Sequence, residues 1–216
     1  MIRYLVWDVD GTLIDTYPAI SGAMLAALQS FGCSTDPVEV ETLCKVSFGH
    51  CVQCLAEVHG LDAAVLDARF LARLARVPVS EQRVFPGADA VYRLADALGG
   101  ASFILTHRDR ASLQALLAGN GIEGWFVDVV AGDDGFPRKP DPTGLNALLD
   151  RNRIPRSEAL MIGDRDLDVQ AAHGAGIRAC FYGSNPLSVP VECSVTDYCD
   201  LVEFILLESG APGAPK

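Results

Sequence analysis

Residues 2–12 read IRYLVWDVDGT, a short apolar run that ends in two aspartates, Asp8 and Asp10, followed by Gly11. Such a run is typical of a fully buried strand in a parallel sheet. In an open parallel sheet, ligands bind in the crevice at the carboxyl ends of the strands. We therefore predict a buried strand over residues 2–7 and a functional loop that begins at Asp8.

Four later apolar runs have the same character, and segments of helical periodicity alternate with them. Strands that are apolar throughout and alternate with helices indicate a parallel sheet covered on both faces. The sequence therefore predicts an α/β fold with a doubly wound parallel sheet. The later predicted strands are 101–105, 125–130, 159–162 and 177–182, and the predicted helices are 88–98, 111–118, 143–151 and 166–173.

The connection after the first strand is much longer than the others. A crossover between parallel strands needs only about a dozen residues, so the excess indicates an inserted unit. Its apolar residues recur at helical spacing. We predict a helical cap domain over 15–83, with the α/β core domain formed by 1–14 and 84–216. The final residues, SGAPGAPK (209–216), are typical of a disordered tail.

Composition limits the possible partners and the compartment. The chain has 216 residues, 50% of them hydrophobic, and a formal net charge of -11. The acidic charge balance argues against a general nucleic-acid binder. No apolar stretch approaches the roughly 20 residues of a membrane span, and the first residues do not form a secretory signal. Seven irregularly spaced cysteines fit reduced thiols. We expect a cytoplasmic protein without nucleic-acid or membrane partners.

One group of cysteines and histidines, residues 50–54 (HCVQC) with His59, has two interpretations. A structural zinc site needs a second ligand pair at similar spacing, and the sequence offers none. Free cysteine packs as a small hydrophobic residue, so we favour core packing and keep a metal site as the alternative. The i, i+3, i+4, i+7 spacing of a buried helix face is shared by Cys51, Cys54, Leu55 and Val58.

Polar residues also occur where the other predicted strands end. Thr106 follows the second strand, Lys139 lies in the loop after the third, and Asp164 follows the fourth after one glycine. Together with Asp8, Asp164 and Asp168 offer the hard oxygen ligands that suit Mg²⁺. A hydroxyl and a lysine suit a phosphoryl group. These groups predict phosphoryl transfer, in which positioning and charge neutralisation do most of the work.

An aspartate can itself be the nucleophile, so that hydrolysis passes through an aspartyl phosphate. A second acid two residues later can reach the same site across a turn. Asp10 could then protonate the leaving alkoxide and afterwards activate water. Gly11 would let backbone N–H groups approach an anion closely.

With these motifs the chain resembles the haloacid dehalogenase (HAD) superfamily, in the branch of phosphoglycolate-phosphatase-like hydrolases with a helical cap. Four motifs in the family's order are specific, although each alone is a weak match. The resemblance implies a HAD-like Rossmannoid core and magnesium-dependent hydrolysis of a small-molecule phosphate monoester, such as phosphoglycolate or a sugar phosphate. The motifs are DVDGTLID (8–15), ILTHR (104–108), the lysine of RKPDP (138–142) and GDRDLD (163–168).

The resemblance also implies a role for each matching residue. Asp8 would be the nucleophile and a magnesium ligand, and Asp10 the general acid and base, with its backbone carbonyl on the metal. Thr106 would hold the phosphoryl oxygens, and Lys139 would neutralise the nucleophile and the phosphate. Magnesium is the implied cofactor, with the further ligands Asp164 and Asp168.

Two residues depart from the family pattern. Trp7 stands where phenylalanine is common before the first aspartate, and we interpret it as packing. His107 stands where the family usually has asparagine. It could orient the nucleophile loop or contact the substrate's leaving group, or it could be a structural histidine, and both interpretations remain open.

Specificity in this family is set largely by the cap. The segment KVSFGHCVQCL (45–55) resembles the family's cap segment around a glycine, which we expect to form a loop between the first two cap helices. Lys45, Ser47 and His50 are the predicted contacts to the leaving group. The alternative is that these residues only cap or solvate a helix.

Three other activities remain open within this fold. A β-phosphoglucomutase-like enzyme would need a sugar bisphosphate, and a phosphonatase-like enzyme would need Lys45, the lysine of the cap, for a Schiff base. The third alternative is a catalytically silent phosphate-binding protein. The presence of Asp10 argues against it, because binding alone needs no general acid and base. We favour an enzyme that acts on a small phosphate ester as a monomer or homodimer.

Overall fold

The computed structural model of the chain describes residues 1–209 and divides into two compact units. One unit consists of Met1–Ile14 and the chain from Val84 onward, and the other of Asp15–Arg83. The predicted disordered tail lies outside the described residues, apart from Ser209, which ends a helix.

The strands within residues 1–209 form a six-stranded and a two-stranded sheet. They are β1 (Tyr4–Trp7), β2 (Ile14–Asp15), β3 (Arg83–Val84), β4 (Ala101–Leu105), β5 (Phe126–Val130), β6 (Ala159–Gly163), β7 (Arg178–Tyr182) and β8 (Cys193–Val195). The six-stranded sheet has the order β5-β4-β1-β6-β7-β8, and its paired strands run parallel. The chain passes from the first unit to the second within β2 and returns within β3.

The helices occupy the segments between and beyond these strands. In residues 1–209 the α-helices are α1 (Tyr17–Gln29), α2 (Pro37–Val46), α3 (Phe48–His59), α4 (Ala63–Leu74), α5 (Ala88–Ala97), α6 (Arg110–Asn120), α7 (Thr143–Arg151), α8 (Asp166–Gly174) and α9 (Tyr198–Ser209). The first four belong to the second unit, and α5–α9 belong to the first.

The first unit confirms the predicted α/β fold with a parallel sheet. On one face of the sheet, Val6 and Met161 pack in a buried cluster with Leu145, Leu148 and Val169 from α7 and α8. Strands β1 and β6 lie at the centre of the sheet, where burial on both faces explains their uninterrupted apolar sequences.

Strand β8 and helix α9 of this unit were not predicted. Strand β8 has three residues, too few for a visible alternation pattern, and α9 is apolar around most of its circumference. The first strand begins at Tyr4 rather than Ile2, although Ile2 is fully buried.

The register of the central strands brings their carboxyl ends to the same level. Trp7 of β1 pairs with Ile104 of β4 and with Ile162 of β6. The N–H of Asp8 still donates to the carbonyl of Ile162, at 2.9 Å. The residues that follow β1, β4 and β6 therefore share one edge of the sheet.

The second unit is a four-helix structure with its own apolar core. The sequence predicted only three of its helices, because α2 buries just Val40 and Cys44. The N-terminus of α2 nevertheless has clear helix-start signals: the side chain of Asp36 accepts from the N–H of Val38, and Pro37 occupies the first turn. The core includes Ile20, Met24, Leu28, Leu55, Leu66 and Phe70.

The predicted loop around Gly49 is wrong. Helix α2 ends at Val46 and α3 begins at Phe48, so Gly49 lies inside the first turn of α3. Ser47 caps α3 by accepting a hydrogen bond from the N–H of His50, at 3.0 Å. This cap lets one helix follow the other without a longer connection.

The buried face of α3 differs from the predicted one. Cys51 and Leu55 are buried as expected, but Val58 is 70% exposed and Cys54 is only half-buried. The buried stripe instead continues through Val52 and Ala56. In residues 1–209, the groups whose geometry could hold a metal ion do not include these cysteines.

All seven cysteines, which lie in the described part of the chain, are free thiols. Cys180 of β7 and Cys193 of β8 are direct neighbours in the sheet register. No helix within residues 1–209 is long and apolar enough to cross a membrane.

The turn between α5 and β4 gives a test of the packing of the first unit. A Cβ at Gly100 would lie 1.8 Å from the carbonyl oxygen of Arg3, whereas a Cβ at Gly124 would meet nothing within 4 Å. We expect Gly100→Ala to lower the free energy of unfolding by about 3 kcal/mol. Gly124→Ala should change it by less than about 0.5 kcal/mol in the same urea titration. Equal effects would contradict this packing.

Candidate active site

The loop after β1 is a tight turn held by its own backbone. The N–H of Ile14 donates to the carbonyl of Val9 at 2.9 Å, and the N–H of Gly11 donates to the carbonyl of Ile14 at 3.0 Å. Gly11 has φ +75°, which favours glycine. The N–H of Gly11 is thus engaged within the turn, and a substrate contact through this residue stays a prediction.

Lys139 lies at the centre of the site. Its Nζ is 2.9 Å from Oδ1 of Asp8 and 2.6 Å from Oδ1 of Asp168. It also donates to the carbonyl oxygen of Leu105, at 3.0 Å. The side chains of Lys139, Asp8 and Asp168 are each 1% exposed, so each charge depends on the others for compensation.

These contacts shift the pKa values of the three buried groups. Burial raises the pKa of Asp8, but the charges of Lys139 and Arg165 outweigh burial and hold it below its ordinary value. Burial lowers the pKa of Lys139, but Asp168 and Asp8 outweigh that effect and raise it. Burial raises the pKa of Asp168, and the charge of Asp8 raises it further against Lys139. Asp8 is therefore anionic, the state that its predicted role as nucleophile requires.

A glycine at the end of β6 allows Asp168 to reach this position. A Cβ at Gly163 would lie 2.3 Å from Cγ of Asp168, so any larger residue would displace the carboxylate. Asp168 is fixed from the other side by the N–H of Arg165, which donates to its Oδ2 at 3.1 Å. Gly163, directly before Asp164, therefore leaves the space that the carboxylate of Asp168 occupies.

Three carboxylates could hold a metal ion. Asp8, Asp164 and Asp168 each offer one oxygen, and these oxygens lie within 4.8 Å of one another. Thr12 supports the group, since its Oγ1 lies 3.3 Å from Oδ1 of Asp164. Hard carboxylate oxygens, with water completing the shell, are the ligands that Mg²⁺ takes in proteins. The residues fit magnesium, and a contribution from the carbonyl of Asp10 stays a prediction.

Asp10 has a partner that the sequence did not reveal. The guanidinium of Arg108 binds both its carboxylate oxygens, with Nε 3.3 Å from Oδ2 and Nη2 in contact with Oδ1. Nη1 of Arg108 donates to Oγ of Ser112 at 2.7 Å, and its N–H donates to Oγ1 of Thr106 at 3.2 Å. Arg108 therefore connects the loop after β4 to Asp10.

His107 is half-buried beside these residues. A Cβ at Gly132 would lie 2.2 Å from the carbonyl oxygen of His107, so the loop after β5 packs closely against its backbone. Burial and the nearby charges of Lys139 and Arg165 lower the pKa of His107 to about 3. Any contact that His107 makes at neutral pH is therefore that of an uncharged imidazole.

The three cap residues predicted to contact the substrate lie in the second unit. Lys45 forms an ion pair with Glu41, at 2.8 Å, and Ser47 caps α3. His50 is exposed, with Nε2 3.5 Å from Sγ of Cys54. These contacts match the alternative in which the residues cap or solvate helices, and their role towards a substrate stays a prediction.

Comparisons with known proteins assign the chain to a family. The family model described as haloacid dehalogenase-like hydrolase matches residues 5–182. A phosphoglycolate phosphatase from Rhodospirillum rubrum is 33% identical over 187 residues, which cover 82% of this chain and 78% of that protein.

Two solved structures are also similar. A hydrolase from Streptococcus pneumoniae TIGR4 superposes with a TM-score of 0.63 at 27% identity, covering 85% of this chain and 94% of that one. CbbY from Rhodobacter sphaeroides, in complex with phosphate, has a TM-score of 0.74 at 19% identity and covers 93% of this chain and 96% of that one. The second likeness shows the fold alone.

The lowered pKa of His107 predicts a pH dependence of stability. Below its ordinary pKa of 6.5, the unfolded chain binds a proton at His107, while the folded protein binds none until about pH 3. Stability is therefore lost as the pH falls through this window. His107→Asn removes the effect, so we expect its melting temperature to fall less than that of the parent between about pH 7 and about pH 5.

The matched control is Gln53→Asn, an exchange of one exposed, uncharged side chain for another in the second unit. We expect this variant to keep the parent's pH dependence in the same thermal unfolding series. If the melting temperatures of the parent and of His107→Asn fell equally with pH, the pKa of His107 would not be lowered in the folded protein, and the prediction would be wrong.

Proposed function

The chain belongs to the haloacid dehalogenase-like hydrolase family, and on that basis we propose that it is a magnesium-dependent phosphatase of small-molecule phosphate monoesters. The observation that carries the proposal is the position of Lys139, in contact with both Asp8 and Asp168 at the edge where β1, β4 and β6 end. An anionic carboxylate beside a fixed cation suits attack on a phosphoryl group.

In the first half of the reaction, a carboxylate oxygen of Asp8 attacks phosphorus and the ester P–O bond breaks. Asp10 donates a proton to the departing alkoxide. Thr106 and Lys139 hold the phosphoryl oxygens while charge builds on them. Arg108 contributes by fixing the direction in which the carboxylate of Asp10 points.

In the second half, Asp10 takes a proton from a water molecule, whose oxygen attacks phosphorus. The bond between phosphorus and Asp8 breaks, and inorganic phosphate is released with Asp8 restored. Magnesium bound by Asp8, Asp164 and Asp168 would supply positive charge beside the phosphoryl group. The reaction consumes one water and needs no other reactant.

The proposed substrate is a small anionic ester of the phosphoglycolate or sugar phosphate type. Support comes from relatives named phosphoglycolate phosphatase, one of them from Rhodospirillum rubrum. Lys45, Ser47 and His50 are proposed to contact the leaving group. We also place the enzyme in the cytoplasm, where its free thiols would stay reduced.

A substrate panel separates this proposal from related activities. Phosphate release is measured with phosphoglycolate, with sugar phosphates and with a sugar bisphosphate, each with Mg²⁺. We expect release of phosphate from at least one monoester. Isomerisation of a sugar phosphate without net release would indicate a mutase, and borohydride trapping of Lys45 with phosphonoacetaldehyde would indicate a phosphonatase.

The nucleophile is tested by Asp8→Asn, with p-nitrophenyl phosphate as substrate and Mg²⁺ present. We expect turnover to fall by at least about 1,000-fold, because an amide does not replace a carboxylate as nucleophile. Far-UV circular dichroism should be unchanged. The control Asp150→Asn, an exposed aspartate paired with Arg156, should keep full activity. Parent-level turnover by Asp8→Asn would contradict the mechanism.

A further inference from the structure

Arg165 is a cation of the site for which the proposed reaction has no role so far. It directly follows Asp164 and precedes α8. Its Nη2 is 3.2 Å from Oδ2 of Asp8, and its Nε is 3.8 Å from Oδ1 of Asp164. The guanidinium therefore adds a second positive charge beside the proposed nucleophile, at Oδ2, whereas Nζ of Lys139 lies 2.9 Å from Oδ1.

These contacts overlap with the donor set for a divalent cation. Asp8 and Asp164 are two of the three carboxylates that could hold Mg²⁺. Magnesium demands short, well-directed bonds to carboxylate oxygens, whereas a guanidinium is weakly hydrated and forms longer contacts. The two cations would compensate the same negative charges, so they compete.

The position of Arg165 also suits a later contact. Because Nη2 lies 3.2 Å from an oxygen of Asp8, a phosphoryl group that approaches Asp8 brings its own oxygens within reach of the guanidinium. Arginine binds phosphate oxygens through paired N–H donors. Once a metal binds the carboxylates of Asp8 and Asp164, the N–H donors of Arg165 can donate instead to the phosphoryl oxygens of the substrate.

Burial separates Arg165 from the other cations of the site. Lys139 is 1% exposed and is fixed by a third partner, the carbonyl of Leu105. Arg108 is 7% exposed and is held by Asp10 and Ser112. The side chain of Arg165 is 13% exposed, which leaves part of it accessible to solvent and to a ligand.

We propose that Arg165 is a movable countercharge, which pairs with Asp8 and Asp164 until a divalent cation takes their oxygens and then binds the phosphoryl oxygens of the substrate. The inference rests on the proposed function, because it assumes a metal and a phosphate at this site. It makes Arg165 a substrate-binding residue that opposes metal binding and favours phosphate binding.

The first test measures Mg²⁺ affinity by isothermal titration calorimetry without substrate. Arg165→Gln removes the competing charge, and we expect Mg²⁺ to bind at least about tenfold more tightly than in the parent. The control is Arg156→Gln, whose guanidinium contacts Asn146 and Asp150 instead of the site carboxylates. We expect this control to bind Mg²⁺ as the parent does.

The second test measures binding of inorganic phosphate at saturating Mg²⁺. Here Arg165→Gln should bind at least about tenfold more weakly than the parent, because a charge-assisted contact to the phosphoryl oxygens is lost. The two effects of one substitution have opposite signs. A variant that was merely misfolded would weaken both affinities.

Arg165→Lys tests whether the effects of Arg165→Gln come from the lost charge or from misfolding. It keeps a positive charge, so its Mg²⁺ affinity should stay within about threefold of the parent's, and its thermal unfolding in EDTA should be similar. Magnesium affinity that is unchanged or weaker in Arg165→Gln overturns the inference, as does unchanged phosphate affinity. A parent protein that binds no Mg²⁺ would instead contradict the proposed function itself.

Discussion

The site depends on one interaction, the buried contact of the Lys139 ammonium with the carboxylates of Asp8 and Asp168. At 1% exposure neither carboxylate can be compensated by water, and removing one member of such a group costs about 3–5 kcal/mol. The same charge keeps Asp8 anionic although burial opposes this. The interaction therefore matters in two ways: losing one partner would leave the other charges uncompensated, and the charge of Lys139 suits Asp8 to the nucleophilic role proposed for it.

The sheet explains how residues so distant in sequence form this group. Parallel pairing at matched register makes β1, β4 and β6 end at one level, so the residues that follow them converge. Close packing then sets the finer positions. Asp168 can lie against the end of β6 because Gly163 has no Cβ there.

Sequence predicted the parts of this arrangement that follow from strand exits. Asp8 and Asp164 lie where apolar runs end, so fold class and topology place them without side-chain detail. The contacts of Arg108 and Arg165 depend on the conformations of two long side chains, which the periodicity of the sequence does not reveal. Helix α2 was missed because only two of its residues are buried, so its hydrophobic pattern is faint. The cap signal at Asp36 could have identified it.

The most direct measurement is chemical identification of the covalent intermediate on Asp8. In Asp10→Asn, p-nitrophenyl phosphate needs no acid for its leaving group, but water is no longer activated, so the intermediate should accumulate. Acid quenching and borohydride reduction convert an aspartyl phosphate to homoserine, which peptide mass spectrometry locates. The predicted result is homoserine at position 8. Release of p-nitrophenol by this variant with an unmodified Asp8 would contradict the mechanism.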